Sequence, residues 1–355
     1  MKRREKNNEK IIVGVSGGID STLALILLKK QGWKPIGVTL KLASWQNKQN
    51  KKTLKAARKI CKKLKVPCYQ YDAKKEFKKE VMDYFTSELK KGRTPNPCMI
   101  CNRKIKFKKL IEFAKKKGIK YIATGHYAKI KYNPKTKKYE LLKPKDTKKD
   151  QTYGLSLLPQ KWLKHIKFPL ANYTKEEVYK LAEKEGLTKA SKQKQSQDLC
   201  FVSKKDLPKY LKQEIGIKPG WIKNEKGQKL TKHKGLHFYT IGQKKGIGLN
   251  ERYYVKELKV RKNEIIATKN KKTINKKEMI LQPINYISDE PPKKPIKAQA
   301  KVRYNQKLSK ATIVPLNNKK AKAIFDKPID SVAKGQFCVF YKGRKCLGGG
   351  TISNC

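Results

Sequence analysis

Lys10-Ile11-Ile12-Val13-Gly14-Val15-Ser16-Gly17-Gly18-Ile19-Asp20-Ser21-Thr22 is the stretch that decides the fold. Its first six residues read as a short buried strand, the glycines and serines as a tight turn, and Ser21 to Gln31 as a helix stopped by Gly32. Such a turn suits an anion. Glycines let the backbone approach closely, and the amides at a helix start carry partial positive charge. Ser16 and Ser21 add hydroxyl donors, and Asp20 would act through a Mg²⁺ bridging phosphate oxygens. The stretch lacks the Gly-Lys-Ser/Thr ending of a Walker A loop and the G-x-G-x-x-G of a dinucleotide site. The plain alternative is an ordinary turn with Ser21 as a cap.

Outward from this turn, strand-like and helix-like stretches alternate. Pro35 to Leu42, Val66 to Tyr71 and Lys120 to Thr124 read as strands. Between them, Lys51 to Leu64, Lys74 to Lys90 and Cys98 to Lys117 read as helices. This predicts an α/β fold with a parallel sheet covered by helices on both faces. The character changes near residue 205. From Gly220 onward, turn signals separate short runs rich in Val, Ile, Tyr and Phe, among them Arg252 to Val260, Ala298 to Tyr304 and Gln336 to Tyr341. With the Pro-rich Ser288 to Pro295 taken as a linker, the expected division is a catalytic α/β domain over residues 1–205, a small β-rich middle domain over 206–287 and a C-terminal β-barrel over 288–355.

The chain has 355 residues, 89 Lys+Arg against 28 Asp+Glu, and a formal charge of +61. A surface this positive attracts polyanions, nucleic acid first among them, although a general lysine bias gives the same composition. Mean hydropathy is −0.78. The apolar run Leu23 to Leu28 falls far short of the ~20 residues a membrane span needs. Met1-Lys2-Arg3-Arg4 leads into polar residues rather than a signal peptide, so the expectation is a cytoplasmic protein without membrane association. Eight cysteines in a chain of this length and compartment do not read as a disulfide scaffold.

Two cysteine islands stand out. Thr94-Pro95-Asn96-Pro97-Cys98-Met99-Ile100-Cys101-Asn102 precedes the basic run Arg103-Lys104-Ile105-Lys106. The prolines place Cys98 and Cys101 at a helix start, where the macrodipole together with Arg103 and Lys104 is expected to favour the thiolate. Ser196-Gln197-Asp198-Leu199-Cys200-Phe201-Val202 carries one more thiol about a hundred residues later. Cys61 and Cys68 read as small packing residues, and Cys338, Cys346 and Cys355 as incidental.

Ser16-Gly17-Gly18-Ile19-Asp20-Ser21 resembles the PP-loop of the ATP pyrophosphatase superfamily, which splits ATP into AMP and pyrophosphate to adenylate a substrate. With the cysteine islands, Ala123-Thr124-Gly125-His126-Tyr127-Ala128, Lys149-Asp150-Gln151-Thr152-Tyr153, Tyr239 to Gly246, Val302-Arg303-Tyr304 and Leu347 to Gly350, essentially the whole chain resembles the tRNA-specific 2-thiouridylase family. The resemblance implies an adenine nucleotide alpha hydrolase-like domain acting on the wobble uridine of tRNA. It implies ATP and Mg²⁺ as cofactors and a persulfide donor, such as a cysteine desulfurase or a sulfur relay protein, as partner. Cys101 would be the nucleophile and Cys200 the persulfide carrier, the two able to form a disulfide in turnover. Gly14, Val15, Ser16, Gly17, Gly18, Ile19, Asp20, Ser21, Leu40 and Gly125 would contact ATP. Asn96, Pro97 and Cys98 would meet the target base, while His126, Lys149, Asp150, Gln151, Arg303, Tyr304 and Gln336 would touch tRNA.

The chain departs from the family where many members carry Asp in place of Cys98, and in Leu249-Asn250-Glu251-Arg252 after Gly246. Cys98 opens a second reading in which Cys98, Cys101 and Cys200 ligate a [4Fe–4S] cluster with one iron left open for sulfide. A basic RNA-binding protein with a vestigial nucleotide loop is the rival from a different class. Several bland readings also stand: His126 bonded only to its neighbours, Lys149 solvated, and Arg303 with Tyr304 an exposed strand pair.

Overall fold

The structure is a computed structural model that describes residues 8–47, 50–187, 199–249, 251–317 and 319–355. Ser196 to Asp198 of the second cysteine island and Asn250 lie outside the described residues.

The opening strand β1 (Lys10–Gly14) buries Ile11, Ile12 and Val13 completely, as a central strand covered on both faces must. It pairs in parallel with β2 (Lys34–Lys41) on one side and β4 (Tyr121–Ala123) on the other. With β3 (Cys68–Asp72) and β7 (Ile166–Lys167), the strand order is β3-β2-β1-β4-β7, parallel throughout. The order reverses between β1 and β4, and the crevice beyond the carboxyl ends of those strands is where open α/β sheets bind ligands.

Helix α1 (Ile19–Lys30) leaves the turn with Ile19 and Ser21 to Leu28 all buried, because it is sandwiched. Leu25 and Leu28 pack on the sheet with Ile11, Val13 and Val15. Ile19, Leu23, Ile26 and Leu27 pack toward Leu170, Val178 and Ala182. The last two belong to the helix Lys175–Lys184. Helix α2 (Asn50–Lys63) and the helix Phe107–Lys116 cover the sheet further. Two helices expected to be regular contain π turns, at Lys78–Asp83 and Asn102–Lys106.

The hairpin β5 (Lys129–Asn133) and β6 (Lys138–Leu142) leaves the parallel sheet and pairs with the final strand of the chain. The middle region is a sheet of β8 (Gly220–Lys223), β9 (Lys229–His233), β10 (Tyr254–Lys259) and β11 (Glu264–Thr268), in the order β10-β11-β8-β9. Six strands then close a barrel: β12 (Lys276–Tyr286), β13 (Ile296–Lys301), β14 (Ser309–Asn317), β15 (Lys320–Ile329), β16 (Phe337–Lys342) and β17 (Lys345–Asn354). The pairing of β12 with both β15 and β17 closes it. Period-two alternation fills the interior, as with Ala321, Ala323 and Phe325 of β15.

One expectation is corrected here. Ser288 to Pro295 is not a linker between a middle domain ending at residue 287 and the barrel, because β12 before it is already a barrel strand. The Pro-rich stretch connects β12 to β13 inside one sheet. Proline density marks a segment that cannot join a ladder, and it says nothing of whether both flanks share a core.

Candidate functional site

The loop after β1 is braced from within. Gly17 has φ +78°, and a Cβ there would lie 2.8 Å from Cβ of Ala56 in α2, so the turn needs glycine twice over. Gly18, not Ser21, is the N-cap of α1, and no side chain caps this helix start. Ser21 turns inward instead: its Oγ donates to the Gly18 carbonyl at 3.0 Å and accepts from the Ser16 amide at 3.2 Å. The Ser16 and Ser21 hydroxyls are 3.2 Å apart. The sequence alternative of Ser21 as a plain cap therefore does not hold.

Gly14 and Val15 sit below the loop, Gly14 against Leu110 and Val15 buried with its carbonyl accepting from Thr39 Oγ1 at 3.0 Å. Leu40, half-buried, lines the end of β2. Gly125 follows β4 and abuts the start of α1. A Cβ there would lie 2.5 Å from the Asp20 carbonyl carbon and 2.6 Å from the Ser21 nitrogen. The strand ends of β1 and β4 thus meet around one loop. Asp20 accepts from Tyr127 Oη at 2.9 Å and pairs with Lys175 Nζ at 2.5 Å. Lys175 was not singled out from the sequence, because a lysine among 89 Lys+Arg carries no signal until its partner is known.

The thiols converge some residues away. Asn96 caps the helix Pro97–Cys101 by accepting from the Met99 amide at 3.4 Å, and Pro97 starts it. Cys98 is exposed and Cys101 is 2% exposed. Cys200, also exposed, lies beside Cys101, and the interaction of the two sulfhydryls is the main reason the Cys101 thiol titrates below the ordinary cysteine value. Lys106 reinforces it with its ammonium and with its backbone amide, against desolvation and the Cys98 sulfur. The same contact and desolvation drive Cys200 well above the ordinary value, so of the pair Cys101 holds the thiolate. Desolvation raises Cys98, with Cys200 adding to the rise.

The cation expected beside the thiols is corrected from Arg103 and Lys104 to Lys106. Lys104 pairs with Glu80 at 3.6 Å, while Arg103 is desolvated and faces Asp289. The reason is the π turn Asn102–Lys106, in which residues five apart come into register and Lys106 rather than Lys104 lies beside Cys101. Desolvation lowers Lys106, but the sulfurs of Cys101, Cys200 and Cys98 outweigh it, and it titrates above the usual lysine value.

His126 links the two regions. It directly follows Gly125, its Nδ1 is 2.7 Å from Thr124 Oγ1, and its ring lies 5.5 Å from Phe107 and 6.2 Å from Phe168. Desolvation, with Lys106 nearby, lowers it to about 3, so the imidazole is neutral.

Beside the thiols lies a cavity of about 340 Å³. Pro95, Asn96 and Pro97 form one wall, Leu199 another, and Tyr153, Val302, Arg303, Tyr304 and Gln336 the barrel side. Gln336 Oε1 and Arg303 Nε are buried with no hydrogen-bond partner among the described residues, while another guanidinium nitrogen of Arg303 donates to the Ser331 carbonyl. Tyr304 is 42% exposed, its ring 6.2 Å from Tyr153. Asp150 and Gln151 are occupied internally. Asp150 accepts from the Thr152 amide at 2.9 Å and hydroxyl at 2.6 Å, and Gln151 Oε1 accepts from the Tyr127 amide at 2.8 Å. Lys149 closes a short turn in which its amide donates to Asp146.

Among the described residues no group of three or more His, Cys, Asp or Glu donors is set to hold a metal ion. Mg²⁺ bound through nucleotide phosphates needs only one or two carboxylates, a demand Asp20 fits. A [4Fe–4S] cluster needs three thiolates facing one centre, and Cys98, Cys101 and Cys200 are not so grouped. Cys61 and Cys68 contact each other in the core between α2 and β3.

A parallel sheet with a phosphate-type loop at its switch point, a pair of interacting thiols and two appended β units defines a nucleotide-using α/β enzyme of the HUP class. Residues 9–204 match the family model described as tRNA methyl transferase HUP domain, 208–269 the tRNA methyl transferase PRC-barrel domain, and 276–352 the Aminomethyltransferase beta-barrel domain. The tRNA-specific 2-thiouridylase MnmA of Clostridium botulinum (strain Alaska E43 / Type E3) is 39% identical, covering 97% of this chain and 98% of its own. That of Acetivibrio thermocellus is 39% identical (98% and 99%), and MnmA 1 of Thermoanaerobacter pseudethanolicus 40% (98% of both). The chain belongs to the tRNA-specific 2-thiouridylase family.

Proposed function

We propose that this chain, a tRNA uridine 2-sulfurtransferase, adenylates the C2 oxygen of a wobble uridine at the β1 loop and delivers sulfur to C2 from a persulfide on Cys200. The observation that supports this is the proximity of the Cys101 and Cys200 thiols, about a hundred residues apart in sequence, next to a cavity of about 340 Å³.

The uracil O2 attacks the α-phosphorus of ATP, the bond to the bridging oxygen breaks, and pyrophosphate leaves. The N3 proton passes to solvent. Amides at the start of α1 and the Ser16 and Ser21 hydroxyls orient the phosphates. Mg²⁺, held by Asp20, would neutralise phosphate charge. The terminal sulfur of the Cys200 persulfide then attacks C2, and AMP departs with the former O2. Cys101, whose lowered pKa favours the thiolate, attacks Cys200 Sγ. The sulfur–sulfur bond breaks, 2-thiouridine is released, and a Cys101–Cys200 disulfide remains for an external thiol to reduce. Reaching C2 requires the base to leave the anticodon stack, and the cavity with the unpartnered Gln336 Oε1 and Arg303 Nε would receive it, Gln336 accepting from N3–H before activation. Cys98 directly follows Pro97 of the cavity wall. The basic β units would hold the tRNA backbone and shape.

No helix among the described residues is long and apolar enough to cross a membrane, and the cytoplasm is the compartment we assign to the reaction. The test is Cys200→Ser supplied with tRNA, ATP and a persulfide donor, beside wild-type protein treated in the same way. Thiolation is expected to vanish while tRNA-dependent pyrophosphate release persists, and retained thiolation overturns the assignment.

A further inference from the structure

We propose that Lys175 is the residue that holds the β- and γ-phosphates of ATP, giving up Asp20 for them when nucleotide binds. This rests on the nucleotide reading of the β1 loop and goes beyond it to a residue outside every sequence motif.

Lys175 is the first residue of the helix Lys175–Lys184, far along the chain from the loop, yet its side chain is 8% exposed and its Nζ is 2.5 Å from Asp20 Oδ1. Its ammonium lies 4.8 Å from the Tyr179 ring centroid and 5.7 Å from that of Tyr127. The helix start is pinned. Thr174 and Glu177 form a capping box, and the Lys175 amide donates to Asp146 Oδ2 at 2.8 Å. Val178 and Ala182 anchor the helix against α1. The side chain is therefore delivered to the loop by a fixed element, with only its own four-carbon stem free to swing.

A buried ammonium needs a counter-charge. Asp20 supplies it in the resting protein. With its carboxylate turned to a Mg²⁺ that it would hold beside the nucleotide, Asp20 would release Lys175, leaving the ammonium among tyrosine faces. Phosphate oxygens are the anion that replaces the carboxylate. AMP carries no β- or γ-phosphate and its single phosphate lies with the adenosine. When the Pα–O bond breaks and the electron pair leaves with pyrophosphate, an ammonium already in place offsets the charge that develops on the leaving group. A lysine that merely locks the loop through Asp20 would show no such preference among phosphates.

Calorimetric titration of the full-length protein with ATP, pyrophosphate and AMP, each with Mg²⁺, tests this. Lys175→Met is expected to weaken ATP and pyrophosphate at least about tenfold while AMP changes little, and Lys175→Arg to recover part of the loss. Equal weakening of all three ligands, or of none, overturns the proposal. Should Lys175→Met fail to fold, the ATP-to-AMP affinity ratio of Lys175→Arg decides: it must fall, and an unchanged ratio overturns the assignment. A wild-type protein that binds none of the three overturns the nucleotide reading itself, and Lys175 with it.

Discussion

Lys106, five residues after Cys101 in the chain, is the residue whose positive charge and backbone amide both favour the Cys101 thiolate. A regular α-helix brings residues three and four apart together, so this register exists only because the turn Asn102–Lys106 is a π turn. The consequence is chemical: a thiol that burial alone would push up is shifted toward the reactive anion instead.

Lys106→Met removes the ammonium and keeps the amide. The Cys101 thiol then rises toward the ordinary value, the thiolate population at neutral pH falls, and the acid limb of the thiolation profile moves to higher pH. The loss in kcat/KM is expected on the order of tenfold at neutral pH and smaller at alkaline pH, where the thiolate forms unaided. Ultraviolet thiolate absorbance against pH, compared with Cys101→Ser, measures the shift directly.

Gly125→Ala places a methyl 2.5 to 2.7 Å from the backbone of Asp20 and Ser21. Backbone at the start of a packed helix has little room to give, so the loop is displaced from its phosphate-binding geometry. ATP affinity is expected to fall at least about tenfold, roughly 1.4 kcal/mol, with tRNA affinity retained. Nucleotide titration and tRNA gel shift read the two separately.

Gln336→Leu removes a buried acceptor that lines the cavity and has no partner among the described residues. Leucine fills the space but cannot accept from N3–H. The expected outcome is a loss of about 1–3 kcal/mol in kcat/KM for tRNA with the KM for ATP unchanged. Steady-state kinetics with each substrate varied in turn checks the split.

His126, lowered to about 3 by desolvation and Lys106, is expected to show no titration between about pH 5 and pH 8. Nitrogen NMR of the labelled imidazole tests it. His126→Asn should therefore leave the acid limb of the activity profile in place, and a limb that moved with this substitution would contradict a neutral ring.

Much was legible before any coordinates. The alternation of buried strand and helix from Lys10 onward specifies a parallel sheet, because each segment's period of two or 3.6 is a local property of its own residues. The glycines and serines of the loop, and Asn96-Pro97 ahead of Cys98, announce turns and caps through chemistry within a few positions. The cysteine islands stand out as residue types in a recognisable setting. The division at residue 287 failed for the opposite reason: whether β12 belongs to the barrel depends on pairing with β17, the last strand of the chain.

What only the folded chain decided is which distant groups meet. The contact of Cys101 with Cys200, the pairing of Lys175 with Asp20, the replacement of Arg103 and Lys104 by Lys106, and the use of Asp150 and Gln151 as internal braces are all set by packing and helix register. Local sequence carries propensity and pattern. The electrostatics of a thiolate or a phosphate site belongs to neighbours brought together across the fold, and in a chain with 89 Lys+Arg only proximity says which ammonium matters.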